Sequence, residues 1–237
     1  MKNGKLSLSG YITRLAILLA LVVVLQTFGS YIKIGTVSIS LVLIPVVFGG
    51  MILGVLAGTV LGFAFGIVTL VAGITGADGF TQILFTAHPF GTTIICIVKA
   101  TAAGLVPALV FNAIKNKNQT VAAFTAAALA PIINTGLFIV GVLLFVRDTV
   151  AENFLQGESI MYFLIIGCAG VNFIVEFVLN LLLAPALNRV YRVVGGKFSS
   201  DVAHEADIEE INKDAEKPSD TAKDEARKSD KETKGEE

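Results

Sequence analysis

Two charges, Lys99 and Glu176, stand well inside the long apolar stretches that run from Leu15 to Leu187. A charge at bilayer depth costs on the order of 2.5–3.5 kcal/mol on insertion scales, so its retention points to a partner or to a use. Around these two the sequence offers amides and hydroxyls. Asn172, Glu176 and Asn180 recur at i, i+4 and i+8, one face of a helix. Asn134 and Thr135 follow Pro131, whose missing N–H frees a carbonyl in the preceding turn. Thr92 and Cys96 share a side with Lys99. Such groups can pair across helices, as a Lys99–Glu176 ion pair with bridging asparagines. They can also line a polar hollow that takes a solute through Lys99, Asn134 and Asn172, with the deeper Glu176 as a structural member. The sequence leaves both readings open.

Catalysis has no candidates. There is no G-x-x-x-x-G-K-[ST], no H-E-x-x-H, no G-x-S-x-G, and no Ser/His or Asp pair within the apolar spans. His88 has no second histidine nearby, since His204 falls near the C-terminus, and Cys96 and Cys168 lack metal-ligand neighbours. The expectation is a non-enzyme with neither metal nor cofactor.

The elements that must position these residues are membrane helices. Hydrophobic residues make up 54% of the chain and mean hydropathy is +0.76, too apolar for an ordinary soluble domain. A crossing needs about 20 apolar residues. Six stretches qualify: Tyr11–Phe28, Val37–Leu53, Val55–Thr75, Thr92–Ile114, Val121–Phe145 and Ile160–Leu187. The second and third divide near Gly49, Gly50 and Gly54, because the uncharged run Ile34–Ala77 is too long for one crossing. The fold class is therefore all-α, a polytopic membrane protein of six transmembrane helices. Lys2, Lys5 and Arg14 before the first run resemble a signal-peptide start, but no small-x-small cleavage site follows, so that helix reads as retained.

Charge patterning orients the helices. Lys2, Lys5 and Arg14 precede helix one, Lys115 and Lys117 lie between helices four and five, and Arg189, Arg192 and Lys197 follow helix six. The other side carries Lys33 and Arg147 beside Asp78, Asp148, Glu152 and Glu158. The bias of Lys and Arg toward the cytoplasm predicts that both termini are cytoplasmic. Residues 1–197 form the membrane domain, with 11 Lys/Arg against 5 Asp/Glu. Residues 198–237 form a tail with 7 basic and 14 acidic residues, expected to be disordered because it has little apolar surface to bury.

At 1.5 Å per residue Lys99 lies roughly 10 Å below Thr92, and Asn172 roughly 18 Å below Ile160. Both depths fit a hollow open to the outside. Two outer segments flank it: Gly29–Thr36, with Tyr31 and Lys33, and Gly76–Gly91, with Asp78, Phe80, Gln82, Phe85, His88 and Pro89. The second is read as a lid or as an interfacial loop. Gly50, Gly54, Gly58, Gly62 and Gly66 make a four-residue repeat suited to close helix packing, within the chain or against a partner.

Taken together, several features resemble the substrate-binding S component of the energy-coupling factor (ECF) vitamin transporters. They are six helices in the first 197 residues, cytoplasmic ends, and the stretch Arg14-Leu-Ala-Ile-Leu-Leu-Ala20. To these add Ile39-Ser-Leu-Val-Leu-Ile-Pro-Val-Val-Phe-Gly-Gly50 with Gly54, Gly58 and Gly62 following. The acidic tail departs from the compact family pattern. The resemblance implies a small protein of the prokaryotic plasma membrane that captures a vitamin at the outer face. It would work with a transmembrane coupling subunit and two cytoplasmic ATPases, and with no nucleic acid. In the family an Ala-x-x-x-Ala strip of helix one meets the coupling subunit, which here would be Ala16 and Ala20. Its pocket is made by outer loops and helices four to six, which implies Lys99, Asn134, Asn172, Tyr31, Lys33 and His88 as substrate-binding residues. A lysine suits a carboxylate such as pantothenate, while the asparagines suit the amide-like edge of riboflavin. The alternative is a self-sufficient proton-coupled carrier in which Glu176 takes up and releases the proton.

Overall fold

Glycine sets the sharpest boundaries in the computed structural model, which describes residues 8–29, 33–34, 37–38, 41–155, 159–168, 170 and 172–193. Helix α1 (Leu8–Gly29) is followed by two-residue strands β1 (Lys33–Ile34) and β2 (Val37–Ser38), paired antiparallel with Lys33 opposite Ser38. Helix α2 (Leu43–Leu53) ends and α3 (Val55–Thr75) begins at Gly54, whose φ of 95° is a conformation that side chains resist. Gly76 closes α3 in the left-handed region at φ 78°, its N–H donating to the Gly73 carbonyl.

Short α4 (Gly79–Ala87) comes next and stops at His88. His88 precedes Pro89, which disfavours helical backbone before it and opens α5 (Pro89–Ile114) as its first residue. Asn118 caps α6 (Gln119–Phe145), its Oδ1 accepting from the Val121 N–H at 3.1 Å. Then come α7 (Arg147–Phe154) and α8 (Ile160–Tyr162), which continues as a π-helical turn over Phe163–Cys168, and finally α9 (Asn172–Val193).

The described residues are helical apart from the small β ladder and short connections. Among the described residues, five helices (α1 from Ser9, α3, α5, α6 and α9) are long and apolar enough to cross a membrane, and α2 is a shorter apolar helix. Large side chains such as Ile17, Leu56, Phe63, Leu144 and Leu182 are exposed on these helices, as a lipid-facing surface requires. This is a multi-pass, all-α membrane architecture.

Three boundaries differ from expectation. The second segment becomes helical at Leu43 rather than Val37; Val37 and Ser38 pair as strand instead. The segment Gly76–Gly91, expected as a loop, contains α4, which buries Phe80, Thr81 and Leu84. The sixth stretch is interrupted by the π turn rather than running unbroken from Ile160. A Cβ at Gly170 would run into the Ile165 carbonyl, so the interruption needs glycine there.

Tight seams between small residues hold the bundle together. In lipid, apolar burial gives little drive for helix association, and close backbone packing takes its place. A Cβ on Gly58 would lie 2.7 Å from the Gly104 carbonyl oxygen, and one on Gly66 2.8 Å from that of Cys96. A Cβ on Gly62 would collide with the Ala100 carbonyl. The glycine repeat is therefore an internal seam between α3 and α5.

These contacts also fix direction. Positions 58, 62 and 66 meet 104, 100 and 96, so α3 and α5 are antiparallel. Leu18 and Leu61 meet around Gly49, and Gln26 Nε2 donates to Thr69 Oγ1 at 3.1 Å, so α1 runs parallel to α3. At the start of α6, Gln119 Nε2 donates to Asn188 Oδ1 at 2.7 Å. Thr120 Oγ1 there accepts from Asn188 Nδ2 and from Arg192 Nη2, at 3.1 and 2.9 Å. The start of α1 with Arg14, the Lys115–Lys117 turn and the end of α9 with Arg192 thus gather at one end of the bundle. Helices α4 and α7, with Asp78, Asp148 and Glu152, occupy the other.

Two apolar clusters follow the same division. One joins Leu18, Val22, Leu43, Leu61, Phe65, Ala100, Phe111 and Ala126 toward the basic end. The other joins Phe80, Leu84, Ile95, Val142, Val146, Val150 and Leu164 beneath α4 and α7.

Candidate functional site

Lys99 is the first of the candidate residues to place. It lies ten positions into α5, roughly 15 Å along the helix from Pro89, further than a lysine side chain can snorkel back. It is half-buried, and its Nζ sits 5.0 Å from the ring centroid of Phe138 on α6. Among the described residues Lys99 forms no ion pair, with Glu176 or any other carboxylate, so the paired alternative is not what the fold adopts. A cation–π contact contributes about 0.5–2 kcal/mol. That is less than the 2.5–3.5 kcal/mol typical of a lysine at depth. The remainder calls for water or an anion beside the ammonium.

Phe138 is shared. Its ring also meets Phe80 of α4, centroids 6.0 Å apart with planes tilted by 57°. The helix unforeseen in the outer segment therefore touches the ring on which Lys99 rests. Two glycines hold α4 down. Thr81 packs on Gly73, and Gln82 packs on Gly76. Thr81 Oγ1 also donates to Asp78 Oδ2 at 2.7 Å, and the Asp78 N–H donates to the Ala72 carbonyl at 3.0 Å.

Asn134 lies one turn before Phe138, on the same face of α6, and only 5% of it is exposed. Its Oδ1 has no hydrogen-bond partner. The same is true of Thr92 Oγ1, near the start of α5, at 1% exposure. Buried acceptors are rarely left unpaired, because the desolvation cost is then uncompensated.

The asparagine ladder on α9 is arranged as its spacing predicts. Asn172 Nδ2 donates to Glu176 Oε1 at 3.1 Å, and Asn180 Nδ2 donates to the Glu176 carbonyl at 2.8 Å. Glu176 is 1% exposed, in keeping with a structural member. Asn172 keeps Oδ1 without a partner. Asn188 meets Gln119, and Phe173 and Gly170 lie across a groove from Thr135 and Gly136, so α9 runs antiparallel to α6. That register sets Asn172 near the level of Thr135, and hence of Asn134, with Phe138 about one turn further along α6.

The groove itself is a cavity of about 260 Å³ between α6 (Ile132, Thr135, Gly136, Ile139) and Ile165, Gly170 and Phe173. Thr135 is its one polar side chain. Ile132 and Ile165 are both exposed beside it, so it opens sideways toward lipid and is separate from Lys99 and Asn134.

The remaining expected residues fall elsewhere. His88 is exposed at the α4–α5 junction, where its N–H donates to the Leu84 carbonyl and its own carbonyl accepts from Thr92 N–H. Among the described residues, no hydrogen bond or ion pair joins it to Lys99 or Asn134. Of Lys33 only the backbone is described, in β1, and Tyr31 lies outside the described residues, as do residues 194–237. Ala16 and Ala20 are both exposed on α1. Near them Thr13 and Thr27 turn their hydroxyls back onto the Ser9 and Val23 carbonyls, leaving a small-residue stripe with its polar groups satisfied.

Sequence reasoning missed Phe138 and the Gln119–Asn188–Thr120–Arg192 clasp. The signal for Phe138 was present: an aromatic one turn from Asn134, among sixteen phenylalanines of which most are packing. No curated relative matches the sequence. Residues 10–188, which contain most of α1, all of α2 to α8, the π turn and most of α9, match the family ECF transporter, substrate-specific component, and the chain belongs to that family.

Proposed function

We propose that this chain captures a vitamin or related micronutrient from the outer face of a prokaryotic plasma membrane. Lys99, Asn134 and Asn172 carry the contact, and Tyr31, Lys33 and His88 contribute from the outer segments. The family is one of transporter substrate-binding subunits, not of enzymes. Import would then proceed through partners: a transmembrane coupling subunit docked on Ala16 and Ala20, and two cytoplasmic ATPases. The missing P-loop fits this division of labour, since hydrolysis belongs to other chains. Basic residues at one end of the bundle support cytoplasmic termini. Pantothenate and riboflavin are the candidate ligands, and residues 198–237 form an acidic cytoplasmic extension of the 1–197 membrane domain.

One observation carries the reading. Among the described residues, a lysine without a carboxylate partner rests on Phe138, one helical turn from Asn134, and both Asn134 and Asn172 have an oxygen that lacks a donor. The competing proton-coupled carrier requires Glu176 to exchange protons with water, whereas Glu176 is buried and hydrogen-bonded to Asn172.

The test separates capture from self-sufficient transport. Purified protein should bind its ligand with no ion gradient, and proteoliposomes containing this chain alone should show no uptake driven by a pH gradient. Lys99→Ala and Asn134→Ala should each weaken binding while leaving the protein folded. Gradient-driven uptake by the chain alone would favour the carrier. Unchanged affinity in both variants would remove the site.

A further inference from the structure

We infer that the ligand is an organic acid, ionised at neutral pH, that also presents N–H or O–H donors close to its anionic group. This rests on the capture reading and narrows its substrate class. The argument begins with complementarity. Among the side chains that the structure describes there, the cation is Lys99, which donates and cannot accept. Its partner among the described residues is the face of Phe138, at 5.0 Å, a contact that leaves the ammonium protons available to an anion.

The neighbouring side chains offer the opposite valence. Asn134 Oδ1 is an acceptor with no donor, in a residue that is nine-tenths buried. Asn172 turns its Nδ2 onto Glu176 and leaves Oδ1 unpartnered. Both asparagines therefore ask for donors while Lys99 asks for an acceptor. Asp78 forms no ion pair with Lys99; its Oδ2 accepts from Thr81, and its helix packs on Gly73 and Gly76.

A neutral, flat heterocycle leaves Lys99 without a counter-charge. A simple fatty acid leaves the asparagine oxygens unanswered. A hydroxylated or amide-bearing carboxylate meets both requirements. Phe138 supplies the shelf: with Lys99 on its ring and Phe80 of α4 beside it, the anionic group is held where α4 covers the site.

The experiment measures equilibrium binding of three acid and neutral pairs to the full-length purified protein. These are pantothenate with pantothenol, biotin with biotinamide, and nicotinate with nicotinamide, and riboflavin is the unpaired neutral probe. One acid should bind, and its neutral partner should bind about 10- to 100-fold more weakly, the range expected of a charge-assisted hydrogen bond. Lys99→Met should bring the two affinities together, and Lys99→Arg should retain a preference for the acid. A neutral compound bound as tightly as its acid, riboflavin as the tightest ligand, or an unchanged preference in Lys99→Met would overturn this inference while leaving capture intact. Silence of the whole panel would overturn the capture reading and this inference with it. The acid preference is a ratio within one preparation, so wild-type protein alone decides the matter if a variant fails to fold.

Discussion

Replacing Ala16 with tryptophan should abolish co-purification with a co-expressed transmembrane coupling subunit while leaving ligand binding unchanged. The reasoning starts from the surface of α1. That helix buries Leu18, Val22 and Gln26 against the bundle, leaving Ala16 and Ala20 outward with Thr13 and Thr27. Two alanines one turn apart let a second backbone approach closely, which is how helices associate in lipid. The threonine hydroxyls are bonded to carbonyls of their own helix, so nothing polar resists the approach. An indole would fill the stripe and hold a partner helix away without disturbing the buried face. Ala16→Ser, close in volume, should assemble normally. Full co-purification of Ala16→Trp would place the docking surface elsewhere.

A second large effect is expected at the α3–α5 seam. Gly62→Val should destabilise the protein by about 3 kcal/mol or more, the upper part of the range for overpacking, because its obstacle is backbone. The position faces the Ala100 carbonyl, with Gly104 N at 3.2 Å and Thr101 Cα at 3.2 Å, and no side chain can swing aside to make room. Gly136→Ala is the control. A Cβ there meets nothing within 4 Å, so alanine should be neutral or stabilising by up to about 1 kcal/mol through helix propensity. The chain has no tryptophan, but Cys96 is 3% exposed, so a thiol-reactive dye reports thermal unfolding. Equal midpoints for Gly62→Val and wild type would mean that the seam is looser than its geometry implies.

Much of this architecture is legible in the sequence, for reasons that can be located. Helix α3 runs from Val55 to Thr75 as expected because Gly54 and Gly76 bracket it, each with a backbone that only glycine adopts readily. Among the described residues, Arg14, Lys115, Lys117 and Arg192 lie toward one end of the bundle, and Asp78, Asp148 and Glu152 toward the other, as the charge pattern groups them. Elsewhere hydropathy is blind to conformation. Residues 37–42 are apolar enough to continue a helix, yet Val37 and Ser38 sit in a strand pair. Helix α4 is too short for periodicity to announce it; its signals are the Asp78 before it and the Pro89 after His88. The π turn at Phe163–Cys168 arises within a continuous apolar run, with Gly167 and Gly170 as the hints.

For the site, residue type was more informative than pairing. A lysine and two asparagines in apolar spans stand out in one dimension. That Lys99 rests on Phe138 rather than on Glu176 depends on the relative rotation of α5, α6 and α9, which no spacing within one helix encodes. The same rotation gives Asn172 to Glu176 and leaves Asn134 without a donor.

The central claim is that this bundle holds a small solute for other subunits to import. Untargeted mass spectrometry of molecules released from protein purified in mild detergent, beside Lys99→Ala prepared identically, tests it most directly. Wild type should release one water-soluble, vitamin-sized compound at near one per chain, and the variant should release far less of it. A wild-type protein that folds, assembles with its coupling subunit and yet releases only lipid, or a variant that retains the compound in full, would contradict the account.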